Sequence, residues 1–268
     1  MRRTGVWILA LAAPFSLWAA GGSLSWTPAD FTQTACPGVE INGEGRLILK
    51  ARWDIDSTPI SARVYPGFAF DGVSNKALVF GGADAAGNSL GDTWSGDSSL
   101  GWILQSSTTA PSARYGHALV SMGGKFFLYG GASSSESWTY DPAVNSWSRI
   151  DTQAAPPVNL RLPAMNYLPG KNKIMLFGGG QGDGTWLFDV ASSSWSLLSL
   201  NPSPEDRVGA AMAWDASAQR VILFGGKRPL TNEYLGDTWI FNPESWTWAQ
   251  VNPAGSPASR AEAGLIYD

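Results

Sequence analysis

Short apolar runs recur along this chain, each closed by two glycines. They occupy residues 77–82 (ALVFGG), 126–131 (FFLYGG), 174–179 (IMLFGG) and 221–226 (VILFGG), and the first glycine of each pair recurs at spacings of 49, 48 and 47 residues. Between them lie many turn formers and large aromatics with few charges, and no long i, i+3, i+4 apolar stripe occurs outside the N-terminus, which suits short strands joined by tight turns rather than helices. A repeat of this length is read as one supersecondary unit. The second unit divides into four expected strands: 115–121, 125–129, 137–140 and one starting near Trp147, with turns at 122–124 and at Asp141 and Pro142. The second strand of each unit is apolar at nearly every position. A strand of that kind is covered on both faces, which a lone four-stranded sheet cannot provide. Radial stacking of such sheets provides it, so the pattern predicts an all-β propeller of four-stranded antiparallel blades.

Other positions keep the same register. A Trp follows each glycine pair (Trp94, Trp138, Trp186, Trp239), and a second follows eight or nine residues later (Trp102, Trp147, Trp195, Trp248). Large aromatics at two fixed places per unit supply bulk between blades. An Arg opens each unit: Arg63, Arg114, Arg161, Arg207 and Arg260. A position repeated in every blade is expected to be structural, held by hydrogen bonds to neighbouring carbonyls, whereas an active site is asymmetric.

These marks resemble the kelch repeat: Gly-Gly after the second strand, Trp138, Tyr140, Asp141 and Pro142 at the third, Asn145 and Trp147 leading into the fourth, and Arg114, Gly116 and His117 at the opening. The resemblance covers about residues 63–268. The last nine residues match the opening of a fifth unit. Kelch propellers usually have six or seven blades, so the resemblance implies a propeller truncated at its C-terminus, with four full blades and the start of a fifth. Residues 23–62 form an expected N-terminal arm. Residues 39–41 and 46–50 suit a hairpin around the turn 42–45, and the arm is expected to supply the strand that closes the ring.

Composition narrows the function. Charged residues are 15% of the chain, with a formal net charge of −4. Residues 1–22 read as a signal peptide, with Arg2 and Arg3 before a short apolar core and small residues at 19–22. The expected location is therefore secreted, periplasmic or cell-surface, and no later stretch is long and apolar enough to predict a membrane span. Removing Arg2 and Arg3 makes the chain more acidic, which argues against nucleic acid as a partner. Cys36 is the only cysteine, so no internal disulfide can form. No Asn-x-Ser/Thr site is present, which favours a bacterial-type exported protein.

Catalytic chemistry is scarce. His117 is the only histidine and falls where other units carry Ala164, Ala210 and Gly264, so a packing role is expected. One His and one Cys cannot form a closed zinc site, and no metal, cofactor or catalytic residue is expected. Galactose oxidase is a kelch-propeller enzyme, but its copper ligands need two histidines, and missing blades would have to hold that site. Exported sialic-acid epimerases are kelch propellers that work without metal, so a cofactor-independent carbohydrate-active enzyme is the alternative reading. The glycine-rich stretch 178–184 lacks the Rossmann and Walker spacings and reads as a blade turn. Function is expected in the loops that differ between units: 83–91, 132–136, 180–184 and 227–235. The last is the longest, and Lys227, Arg228, Asn232, Glu233 and Tyr234 are its candidate binding residues. They would engage a protein or glycan ligand on the loop rim.

Overall fold

The computed structural model describes residues 39–41, 47–49, 60–97, 101–131, 134–152, 154–182 and 184–267. The chain divides into two units, Met1–Pro59 and Ile60–Asp268. In the first, β1 (Val39–Ile41) pairs antiparallel with β2 (Leu47–Leu49), the hairpin expected there. The expected signal segment, Cys36 and the rest of the arm up to residue 59 lie outside the described residues.

The second unit contains four four-stranded antiparallel sheets in simple meander order. Blade 1 is β3 (Gly67–Asp71), β4 (Lys76–Ala83), β5 (Ser89–Asp97) and β6 (Gly101–Gln105). Blade 2 is β7 (Ala118–Ser121), β8 (Phe126–Tyr129), β9 (Ser137–Asp141) and β10 (Ser146–Ile150). Blade 3 is β11 (Ala164–Leu168), β12 (Lys173–Phe177), β13 (Thr185–Asp189) and β14 (Ser194–Leu198). Blade 4 is β15 (Ala211–Asp215), β16 (Arg220–Phe224), β17 (Thr238–Asn242) and β18 (Thr247–Val251). The first strands β3, β7, β11 and β15 neighbour one another in chain order, as the inner strands of a propeller do. Strand β7 starts at Ala118 rather than at Tyr115, because residues 114–117 run between blades instead of along one.

The unbroken apolar runs now have a reason. Phe126 and Leu128 face blade 1, where they join Leu78, Phe80, Trp138, Tyr140 and Trp147. Phe127 and Tyr129 point the opposite way and join Ile174, Leu176, Phe188 and Trp195 of blade 3. Met175 and Phe177 likewise leave blade 3 for a core with Val221, Leu223, Phe241 and Trp248 of blade 4. Successive side chains of a strand alternate faces, so one four-residue strand feeds two cores. Each such large side chain contributes roughly 1.5–3 kcal/mol on full burial.

Polar stitches lie inside these cores. The indole Nε1 of Trp147 donates to Thr93 Oγ1 of the preceding blade at 2.9 Å. Trp195 donates to Ser137 Oγ at 3.0 Å, and Trp248 to Thr185 Oγ1 at 2.9 Å. In blades 2, 3 and 4 the second Trp thus packs apolar area while satisfying a hydroxyl of the preceding blade that would be costly to bury alone.

Candidate interaction face

Five residues trace the inner mouth of the propeller: Tyr65, Gly116, Leu162, Gly209 and Glu262. All have positive φ, between 48° and 68°. Their backbones form a collar. Gly116 N–H donates to the Tyr65 carbonyl at 2.9 Å, Leu162 to Gly116 at 3.0 Å, Gly209 to Leu162 at 3.0 Å and Glu262 to Gly209 at 2.7 Å. Each bond ties one blade entry to the next. Glu262 belongs to the expected opening of a fifth unit. Residues 260–267 form no strand, yet Arg260 and Glu262 bond to blade 4 in the repeat's register.

Two residues before each of the first four collar positions is a buried slot, filled by an arginine in blades 1, 2 and 4, whereas Arg260, two before Glu262, is exposed. Arg207 Nη1 donates to the Gly225 carbonyl at 3.0 Å and to Asp237 Oδ1 at 2.7 Å, and Nη2 donates to Asp237 Oδ2 at 3.0 Å. Arg63 makes the same set with Gly81 and Asp92, and Arg114 with Gly130 and Glu136. The carbonyl bonds expected from sequence are present, and the acid partner is an addition to them. The acid also accepts the first Trp indole, as Asp237 does from Trp239 at 2.6 Å. Burial alone would raise the carboxyls of Asp92, Glu136 and Asp237, but hydrogen bonds from arginine and indole, with the arginine charge, hold all three below their ordinary range.

Blade 3 breaks the rule. Its slot holds Leu160, which is buried, while Arg161 is exposed one residue further on. The expectation that Arg161 is one of five equivalent structural arginines is therefore corrected: counted back from the collar, its register is off by one. The acid is gone too. Its place is Gly184, where a Cβ would meet Leu197 Cδ1 at 2.6 Å. The slip changes the glycine pairs as well. A Cβ on Gly178 or Gly225 would lie 2.4 Å from the carbonyl oxygen of Arg207 or Arg260, whereas on Gly130 its nearest neighbour would be Ser134 O at 3.7 Å. All three have φ of 64° to 75°. Gly225→Ala is therefore expected to cost clearly more than Gly130→Ala, which carries only the conformational penalty of about 1 kcal/mol. Urea unfolding of the two variants checks this order.

Over the collar lies a cavity of about 340 Å³ lined by Tyr65, Tyr115, Arg161, Leu162, Lys227 and Glu262, among others. Lys227 Nζ lies 3.8 Å from Glu262 Oε1. The Glu262 charge, then burial and a hydrogen bond to the same carboxylate, raise the Tyr65 phenol, while the Arg161 charge opposes the shift. Arg161 makes no ion pair with a described residue.

Of the five residues expected to bind, only Lys227 lines this cavity. Arg228 is committed to two acids, with Nε and Nη2 each 2.7 Å from the Glu205 carboxylate outside the loop and Nη1 on Glu233 within it. These acids raise the guanidinium pKa further. Asn232 takes a positive φ of 57° and donates its N–H to the Arg228 carbonyl. Loop 227–235 is thus pinned by ion pairs and turn bonds, leaving Leu230 and Tyr234 exposed. The loops expected to differ between units include neither Arg161 nor the collar, since neither lies between second and third strands. The glycine-rich stretch is a turn in which Gly180 and Gly182 N–H donate to the Asp206 carboxylate, both at 3.1 Å.

His117 is buried between blades 1 and 2, its ring edge-on to Phe80 at 5.5 Å between centroids. A Cβ on Gly67 would meet its Nε2 at 2.4 Å, and among the described residues neither ring nitrogen makes a hydrogen bond of ordinary geometry. Burial first, then the Arg114 charge, lower its pKa to about 3, against a weak opposing effect of the Phe80 backbone. Packed in this way it has no approach to a substrate. Among the described residues no three His, Cys, Asp or Glu side chains cluster as a metal site, and no helix is long and apolar enough to cross a membrane.

Four meander blades joined through a collar and alternating cores define a kelch-like β-propeller, a fold that typically serves as an interaction module. Residues 77–267, more than half of the chain, match the Attractin/LZTR1 β-propeller, and the chain belongs to that family. A search of curated proteins finds no match.

Proposed function

We propose that this chain is an exported interaction module whose binding face is the collar side of the propeller, with a protein at or near the cell surface as its ligand. The observation that carries this reading is the pre-organised loop 227–235. Its polar groups are bonded to one another and to Glu205, while Leu230 and Tyr234 stand exposed on the loop whose Lys227 enters the cavity. Fixing a loop before contact lowers the ordering cost of binding, and exposed apolar side chains on a polar rim are what a protein interface uses. A glycan is the second reading, favoured by the exposed rings of Tyr65 and Tyr115 at the cavity, since amphipathic rings can cover a sugar face while the hydroxyl bonds.

The test replaces residues 228–234 with a Gly-Ser turn and screens both proteins against arrays of extracellular proteins and of glycans. The expected result is a set of protein hits retained by the native chain and lost by the loop variant, with the melting temperature within a few degrees. Hits unaffected by the replacement would remove this face from consideration, and hits confined to the glycan array would favour the second reading.

A further inference from the structure

We propose that the cavity over the collar holds an acidic side chain of the protein partner, and that Arg161 is its principal contact. The inference rests on the interaction-module reading above and names the chemistry that the site takes.

The argument begins with the break in the repeat. In three blades the arginine at the mouth is buried and saturated by a carbonyl and a carboxylate. In blade 3 the slot is filled by Leu160, its acid partner is replaced by Gly184, and the arginine is moved one residue into the cavity wall. Both halves of the clamp are lost together. Among the described residues the guanidinium therefore has no clamping carboxylate in its own blade, and none forms an ion pair with it. Its five N–H donors match a carboxylate bidentately, and such charge-assisted bonds are about twice as strong as neutral ones.

Lys227 is the second cation of the cavity. Its contact with Glu262 is long, at 3.8 Å, and Glu262 is already engaged by the Tyr65 phenol. Two cations against one carboxylate leave the lining with a net positive charge in a propeller that is otherwise mildly acidic. The remainder of the lining includes Leu160, Leu162 and Val208, with exposed Val158 nearby in sequence and Leu230 on the loop of Lys227. Aliphatic surface around a single cationic focus suits an acidic residue flanked by apolar neighbours in a peptide. A sugar acid would require polar partners for several hydroxyls. A volume of about 340 Å³ admits a short segment rather than one side chain alone.

The test pans a phage-displayed random heptapeptide library on the whole protein and measures selected peptides by fluorescence anisotropy. The account expects the selected peptides to share an Asp or Glu with apolar neighbours. Replacing that acid by its amide, or Arg161→Gln in the protein, should weaken binding by about tenfold or more. Arg161→Lys should retain part of the affinity, and Lys227→Gln should cost less than Arg161→Gln. Since Arg161 is exposed and forms no ion pair with a described residue, its variants should melt with the native protein, so lost binding is not lost folding. Selected peptides without an acid, no selected peptide at all, or peptides bound equally by Arg161→Gln would overturn the proposal. Among these, peptides that ignore Arg161 but are lost with loop 228–234 would leave the interaction face standing and sink this inference alone. Displacement by free D-glucuronate at concentrations where free glutarate has no effect would overturn the assignment to a peptide.

Discussion

Replacing Arg207 by leucine is expected to destabilise the propeller by about 3–5 kcal/mol, and adding Asp237→Gly is expected to return about 1–3 kcal/mol of that loss. The single variant strips the mostly buried Asp237 carboxylate of its guanidinium partner and leaves the Gly225 carbonyl without the Arg207 donor. Breaking one half of a buried pair costs more than removing both, because the remaining charge loses its partner in a poor solvent. Blade 3 shows the outcome already built into the chain: Leu160 and Gly184 occupy these two places and the blade keeps its four strands. For a domain of this size the single variant should melt on the order of 10 °C lower. Urea titrations of Arg207→Leu, Asp237→Gly and the double variant complete the cycle, and simple additivity would mean that the clamp is not a coupled unit. The pairs also set an acid limit. Asp92, Glu136 and Asp237 have folded pKa values below their unfolded ones, so their stabilisation is present above the ordinary carboxylate range and is lost as pH falls through the lower folded values.

His117 should produce a separate loss of stability at higher pH. Its folded pKa is depressed from 6.5 to about 3, so the folded state keeps it neutral while the unfolded chain takes up a proton below pH 6.5. The unfolded state then binds more protons, and stability falls with decreasing pH by up to about 1.4 kcal/mol per unit between those two values. From pH 6.5 to pH 4.5 the loss is on the order of 2–3 kcal/mol, most of it above the range where the clamped carboxylates titrate. Arg114 is the charged group that acts on the ring and disfavours its protonation. His117→Asn removes the titration. The variant should start less stable at pH 7 because of the space it opens beside Gly67 and Phe80, yet its stability should be nearly flat from pH 7 to pH 5. Parallel pH profiles for variant and native chain would show that this histidine is not the source.

The blades were legible because their signal is physical and repeated. Residues 126–129 had to be covered on both faces, and the structure sends Phe126 and Leu128 one way and Phe127 and Tyr129 the other. The two tryptophans per unit announced packing between sheets, though not that the second donates backwards to Thr93, Ser137 or Thr185, since a hydroxyl in the third strand of the preceding blade carries no mark of its partner. The slip in blade 3 was hidden by adjacency: an arginine at 161 looks in register when the slot is in fact at 160. A signal was present, because an acid stands two residues before Trp94, Trp138 and Trp239, while Gly184 stands before Trp186. A missing acid predicts a missing arginine. The collar left less trace, since only two of its five left-handed positions are glycine and Tyr65, Leu162 and Glu262 reveal nothing of their φ. The loop residues Lys227, Arg228, Asn232, Glu233 and Tyr234 were found by length and composition, which cannot tell a side chain open to a ligand from one tied to Glu205.

The account depends on neighbouring blades being joined at the mouth, and amide hydrogen exchange measures that residue by residue. The N–H groups of Gly116, Leu162, Gly209 and Glu262 lie outside every strand, yet each donates to the carbonyl of the preceding collar residue. All four are expected to exchange slowly, with protection approaching that of Leu128, Leu176 and Leu223 in the middle strands. Exchange as fast as at the open turn glycines Gly123 and Gly170 would mean that the four sheets are not held around a shared collar, and would contradict the propeller and the site built on it.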